Sequence, residues 1–176
     1  MTGEPCVLCD PTRASAELSR VVVWEDDLWR LSTTVNGAIP GFSYLEPKRH
    51  IAHITDLDGP EAQTFGPVMA RTANAIRDAT GADLVYVYVF GGGVAHLHVH
   101  LGPHRDGGAL NTAILRGELS YETLPNGATV MRSADFPPRP ESEMRGAIDA
   151  LRADSWSGRT DGYRPSARPC CATMGP

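Results

Sequence analysis

The chain has no apolar run long enough to cross a bilayer, which removes an α-helical membrane protein from consideration. It has no excess of basic residues either: 16 Lys and Arg stand against 21 Asp and Glu, for a net charge of −5. A general affinity for nucleic-acid backbones is therefore not expected, and any anionic substrate must be held by local donors. Met1-Thr2-Gly3-Glu4-Pro5 lacks the basic and then apolar segments of a secretory leader, so the expected address is cytoplasmic. Cysteine is sparse, with four in 176 residues. Under a reducing address, Cys6 and Cys9 read as metal ligands or redox groups before they read as a structural disulfide. No internal repeat is present. What remains is an ordinary globular composition, 41% hydrophobic and 21% charged, sized for one domain with a modest appendage.

Histidine is concentrated. Of six histidines, three alternate with apolar residues in Ala95-His96-Leu97-His98-Val99-His100-Leu101, and His104 follows. On an extended strand His96, His98 and His100 share one face, roughly 7 Å apart, while Leu97, Val99 and Leu101 face a core. Three imidazoles are a poor choice for a core, because each buried ring nitrogen left unpaired costs about 1–3 kcal/mol. The row suits one ligand, or one metal and a catalytic base.

Near the start, Cys6-Val7-Leu8-Cys9 is a Cys-x-x-Cys pair. Two thiolates need two further ligands to close a tetrahedral zinc site, and His50 and the histidine stretch are candidates. A redox pair is the other reading, although no early strand–helix pattern supports it. After a polar link, Val21–Trp24 and Leu28–Ser32 read as a hairpin turning at Asp26-Asp27, and Phe42–Glu46 as a third strand. Asn36-Gly37 and Pro40-Gly41 punctuate the loop between them. Asp58 and Glu61 predict a capping box opening a helix whose apolar face is Phe65, Met69, Thr72, Ala73, Ile76 and Ala79, ending at Gly81. Leu84–Phe90 predicts a central strand broken by Gly91-Gly92-Gly93, with Val94–Leu101 as its antiparallel neighbour. Residues 120–124 and 128–132 predict a second hairpin, and 141–153 a helix presenting Met144, Ile148 and Leu151. Residues 155–176, rich in Gly, Arg, Pro and Ser, predict a disordered tail.

The chain resembles the histidine-triad (HIT) superfamily. The resemblance rests on His96-Leu97-His98-Val99-His100-Leu101-Gly102, on Pro47-Lys48-Arg49-His50 after a strand, on the capped helix that follows, and on Cys6-x-x-Cys9, all in the family's order. It implies an α+β domain over residues 1–108, with a five-stranded antiparallel sheet packed by a long helix. Residues 109–154 would extend it with a hairpin and helix. It also implies a homodimer acting on a nucleotide-like small molecule. By the same resemblance His98 attacks the α-phosphorus to form a nucleotidyl-imidazole, and His100 binds a phosphate oxygen or assists the leaving group. In the zinc-bearing branches the ligands match Cys6, Cys9, His50 and His96, a closed Cys2His2 set whose zinc is structural. His53 is then a decoy.

The chain departs from the family pattern at the substrate contacts. The acidic residue that ordinarily holds ribose hydroxyls is replaced by Thr34, ahead of Asn36 in the loop. The Gly-Gln-Ser or Gly-Gln-Thr before the triad is Gly91-Gly92-Gly93, leaving backbone N–H groups of Gly92 and Gly93 for a phosphate. After the triad, His104 and Arg105 are the candidate replacement anion contacts. The expected function is hydrolysis or nucleotidyl transfer on a nucleotide conjugate other than a plain purine dinucleotide. Two rivals keep the same residues: a metal-dependent hydrolase with His96, His98 and His100 as ligands, and a non-catalytic nucleotide-binding module.

Overall fold

A computed structural model describes residues 6–90, 94–106, 108, 110, 118–123, 129–134 and 137–153. The predicted tail from residue 155 and the triple glycine lie outside them. The first regular helix, α1 (Pro11–Leu18), stands where the sequence reads as a polar link. Its signal was present: the Asp10 carboxylate accepts the Thr12 and Arg13 N–H groups at 2.9 and 3.2 Å, and Pro11 opens the first turn. Only Ala14 is buried along it, so eight residues carry too little apolar periodicity to announce a helix.

The strands β1 (Arg20–Glu25) and β2 (Trp29–Thr34) form the expected hairpin, with Asp26 Oδ1 taking the Leu28 and Trp29 N–H groups in the turn. β3 (Ser43–Pro47) pairs with β2, and β5 (Val99–His104) inserts between β3 and β4 (Leu84–Tyr88). The result is a five-stranded antiparallel sheet in the order β1-β2-β3-β5-β4. β4 is an edge strand, not the central strand expected from its β-branched and aromatic composition. Leu84 and Val87 stay exposed along it, as do Val89 and Phe90 just after it.

On one sheet face Trp29, Leu31, Leu45, Val99 and Leu101 meet Val68 and Ile76 of α2 (Gly59–Thr80). The two-residue alternation decides this face, because Leu31 pairs with Leu45 and Leu45 with Val99 across three strands. α2 ends as expected at Gly81, left-handed at φ 62°. Its start differs. Asp58 stands at the cap position but makes no side-chain cap, and both Asp58 and Glu61 bind the Arg49 guanidinium, at 2.6 and 3.0 Å. A charge-assisted bond outcompetes a bond to a neutral backbone N–H, which is why the capping box is not made. It also ties the segment after β3 to the helix.

β6 (Glu118–Thr123) and β7 (Thr129–Ala134) pair antiparallel as a separate two-stranded sheet, and the turn between them lies outside the described residues. α3 (Glu141–Ala153) packs on α2 and β1, and its Ile148 and Leu151 belong to the same core cluster as the sheet. Leu151→Ala should therefore cost about 2–4 kcal/mol in urea denaturation, with one cooperative transition. A loss below about 0.5 kcal/mol, or a separate early transition, would show that α3 is not part of this core.

Candidate active site and metal centre

The pairing of β3 with β5 ends at Leu45 and Val99. Upstream of Val99 the chain leaves the sheet, so His96 and His98 precede the strand that was expected to carry them. Leu97 is nevertheless buried, its N–H bonded to the Ile51 carbonyl at 2.7 Å. With the strand broken here, the histidine rings no longer stand in an even row. His98 and His100 have ring centroids 5.1 Å apart, and His96 turns elsewhere.

His96 is fully buried. Its Nε2–H donates to the Pro47 carbonyl at 2.9 Å, which leaves the lone pair on Nδ1. That atom lies 3.4 Å from Cys6 Sγ and 3.5 Å from Cys9 Sγ, and His50 Nδ1 lies 3.4 Å from Cys9 Sγ. All four ligand atoms fall within 4.8 Å of one another. Bond lengths of 2.0–2.3 Å in a tetrahedron put ligand atoms about 3.3–3.8 Å apart, so the set fits zinc. Burial holds His96 below its usual pKa despite the Pro47 bond, which favours the neutral, ligating ring. Burial and then the Cys6 sulfur push the Cys9 thiol up, a cost that a bound cation reverses. The carbonyl behind His96 is the kind of support that orients metal-bound histidines. The Cys-x-x-Cys loop is held in place by Leu8, which is fully buried and whose carbonyl accepts from Arg30 Nη1 at 3.4 Å. His53 is exposed and caps the short turn at Ile54–Asp56. Among the described residues this is the cluster able to hold a metal, and His96, His98 and His100 do not gather into another.

His98 is 7% exposed, and its Nδ1–H donates to the His96 carbonyl at 2.6 Å. A carbonyl can only accept, so the proton sits on Nδ1 and Nε2 carries the lone pair. His100 stands on β5 directly across from Tyr44 of β3 and Tyr88 of β4. Its ring stacks on Tyr88 at 5.2 Å and meets the edges or faces of Tyr44 and Phe90 at 5.1 and 5.4 Å.

The remaining predicted contacts separate. Thr34 closes at the end of β2 and its hydroxyl donates to the Asn36 carbonyl, so these two residues are joined in the loop turn. Gly92 and Gly93 lie outside the described residues. His104 Nδ1 donates to the Leu110 carbonyl at 2.5 Å, and its ring lies beside Tyr86. Arg105 turns to the Thr80 carbonyl at the end of α2, where it lines a cleft of about 720 Å³ with Ile39, Pro103, Arg139 and Ala147. No histidine lines that cleft.

Sequence reasoning missed a buried charged group on the histidine face. Arg20 Nη1 lies 3.5 Å from Glu46, Arg30 reaches Glu46 at 3.8 Å and Glu25 at 3.3 Å, and Lys48 reaches Glu25 at 3.6 Å. The period-two pattern of β1 to β3 was the available signal, since it places Arg20, Arg30 and Glu46 on the face opposite Leu31 and Leu45.

The family model for the HIT domain matches residues 15–107, more than half of the chain. The chain belongs to the HIT family. An uncharacterized HIT-like protein of Mycobacterium tuberculosis is 26% identical over 114 residues, covering 62% of this chain and 78% of that protein. The fold is shared with a Zn-bound histidine triad family protein from Mycobacterium smegmatis, at a TM-score of 0.55 and 22% identity, over 83% of this chain and 92% of that one. It is shared also with a hypothetical histidine triad nucleotide-binding protein from Sulfolobus tokodaii, at 0.56 and 19%, over 84% and 89%. As a HIT protein it has the expected α+β architecture and five-stranded sheet.

Within this HIT domain the Glu46 carboxyl is 1% exposed, and burial pushes it up to about 7 against the pull of Arg20 and Arg30. A carboxyl that binds its proton more tightly when folded lowers stability as pH rises from 4.5 through about 7. Between pH 5 and 8 the wild type should lose on the order of 2 kcal/mol relative to Glu46→Gln. Parallel pH profiles of the two proteins in denaturant would refute this burial effect.

Proposed function

We propose that this HIT protein is a hydrolase or nucleotidyltransferase acting on a nucleotide-like conjugate through a covalent intermediate on His98. The observation that carries the reading is the 2.6 Å bond from His98 Nδ1 to the His96 carbonyl, which leaves Nε2 as a directed lone pair beside His100. The Nε2 lone pair attacks phosphorus, and the bond from phosphorus to the bridging oxygen or nitrogen breaks. His100, protonated, gives its proton to that leaving atom. Water or a second acceptor then attacks phosphorus, loses a proton to His100, and releases His98 as the neutral ring.

Cys6, Cys9, His50 and His96 would hold a structural zinc, which supplies a cross-link between the N-terminal segment and the segment carrying His98. The Zn-bound Mycobacterium smegmatis relative supports that assignment, and the nucleotide-binding Sulfolobus relative supports the substrate class. We assign the protein to the cytoplasm, as a homodimer, with residues 109–154 as an extension of the same domain. No helix among the described residues is long and apolar enough to cross a membrane.

Incubation with adenosine 5′-phosphoramidate and dinucleoside polyphosphates, followed by intact-protein mass spectrometry after acid-free quenching, should reveal a nucleotidyl adduct. His98→Ala should abolish the adduct and lower turnover by at least about a thousandfold. Turnover by His98→Ala at the wild-type rate would remove His98 from the reaction. The metal assignment has its own readout. Elemental analysis should give one zinc per chain in the wild type and none in Cys6→Ser; retention of the full metal content by that variant would place the ion elsewhere.

A further inference from the structure

Arg20 begins β1 directly across from Thr34 of β2, on the sheet face that carries His100. Its guanidinium lies over the ring of Tyr44, 3.7 Å from the centroid, and Tyr44 in turn stands in register with His100. One tyrosine ring therefore separates this cation from the candidate reaction centre. The residue is 9% exposed, yet among the described residues only one of its N–H groups meets an acceptor, Glu46 at a long 3.5 Å. A guanidinium has five donors in a planar fork that matches a carboxylate or a phosphate.

The charge around it is not balanced. In the connected set Arg20, Arg30 and Lys48 face two carboxylates, Glu46 and Glu25. Arg30 has the nearer claim on Glu25 and a further bond to the Leu8 carbonyl, so Arg20 has only its weak share of Glu46. Its remaining donors have no protein acceptor among the described residues and stay open to an incoming anion. The neighbouring position, Thr34, has no carboxylate to supply one, and its hydroxyl is already given to Asn36.

We propose that Arg20 is the specificity-determining contact for a second anionic group on the substrate, distinct from the phosphate that reacts. The proposal rests on the histidine face being the substrate face. The substrate class it names is a nucleotide-like conjugate with a further negative charge, placed either on the sugar as a phosphate or on the leaving group as a carboxylate. The long, largely buried guanidinium reads that charge by a forked pair of hydrogen bonds, while Tyr44 holds it flat.

Two probe pairs separate the sources, measured by calorimetric titration of the full-length chain carrying His98→Ala, so that nothing turns over. The first is adenosine 5′-monophosphate against adenosine 3′,5′-bisphosphate. The second is the adenosine 5′-phosphoramidate of glutamine against that of glutamate. In one pair the more anionic probe should bind at least tenfold tighter, and Arg20→Met should reduce that preference to less than twofold. Arg20→Lys should keep part of it, since charge survives without the fork. Arg105→Met, a cation outside this face, should change nothing. If neither pair shows a preference, or if the preference survives Arg20→Met, the assignment falls. Where Arg20→Met fails to fold by circular dichroism, Glu46→Gln takes its place. Removing the competing carboxylate should tighten the anionic probe at least threefold, and unchanged affinity would overturn the proposal. These are binding readouts, so a failed His98 adduct with Arg20-dependent binding sinks the covalent mechanism alone.

Discussion

A single imidazole ring offers two nitrogens and no room for a third partner, and His96 commits both. Nε2 is bound to the end of β3 through Pro47, and Nδ1 faces the two sulfurs of the N-terminal loop. Its backbone carbonyl then accepts a hydrogen bond from His98 Nδ1–H. The strand end, the thiol pair and the tautomer of the proposed nucleophile are thus set by one residue that no solvent reaches. The geometry at His98 is consequently no more precise than the seating of His96. The cluster able to hold a metal and the proposed nucleophile are therefore joined through one residue, and a change at either is felt at the other.

The histidine face is unusual in what surrounds it. Aromatic rings from β3, β4 and the segment after β4 enclose His100, and a buried ionic group lies behind Tyr44. Buried ion pairs seldom add stability over well-packed apolar groups, and this one holds a carboxyl against its own desolvation. Packing alone does not account for keeping Arg20, Arg30 and Glu46 in such a place. On the proposed reading their place beside the candidate site does, because a partly desolvated cation binds an anion more strongly than an exposed one.

Much of this was legible in residues. The alternation of Val99 and Leu101 correctly named the core face, with Leu97 buried ahead of the strand, Gly81 named the end of α2, and Met144, Ile148 and Leu151 named the buried stripe of α3. Cys6, Cys9, His50 and His96 were gathered on motif likeness, and they meet in space although 90 positions separate the first from the last. Competition was what the pattern concealed. Asp58 and Glu61 have the spacing of a cap, but Arg49 arrives from outside the helix and takes both. β4 has the composition of a central strand, and its edge place depends on β5 inserting between it and β3. His104 and Arg105 have the chemistry of anion contacts, yet the Leu110 and Thr80 carbonyls claim them. In each case a partner outside the element decides, from six positions away for His104 to twenty-five for Arg105, and the pattern of the element itself contains no trace of it.

Gly102 occupies the last place of the triad motif, where an apolar side chain is usual. A Cβ built there would stand 2.7 Å from Leu110 Cδ2 and 3.3 Å from Phe42 Cε2, both in side chains that are 1% exposed. The side chain missing from β5 is supplied instead by Leu110, which returns over the strand after the bond from His104. The two positions are therefore not free to vary separately. A larger residue at 102 is harmful while Leu110 is present, and a smaller one at 110 leaves a void while 102 is glycine. A change at one of these positions is therefore felt at the other, because both side chains draw on the same buried space.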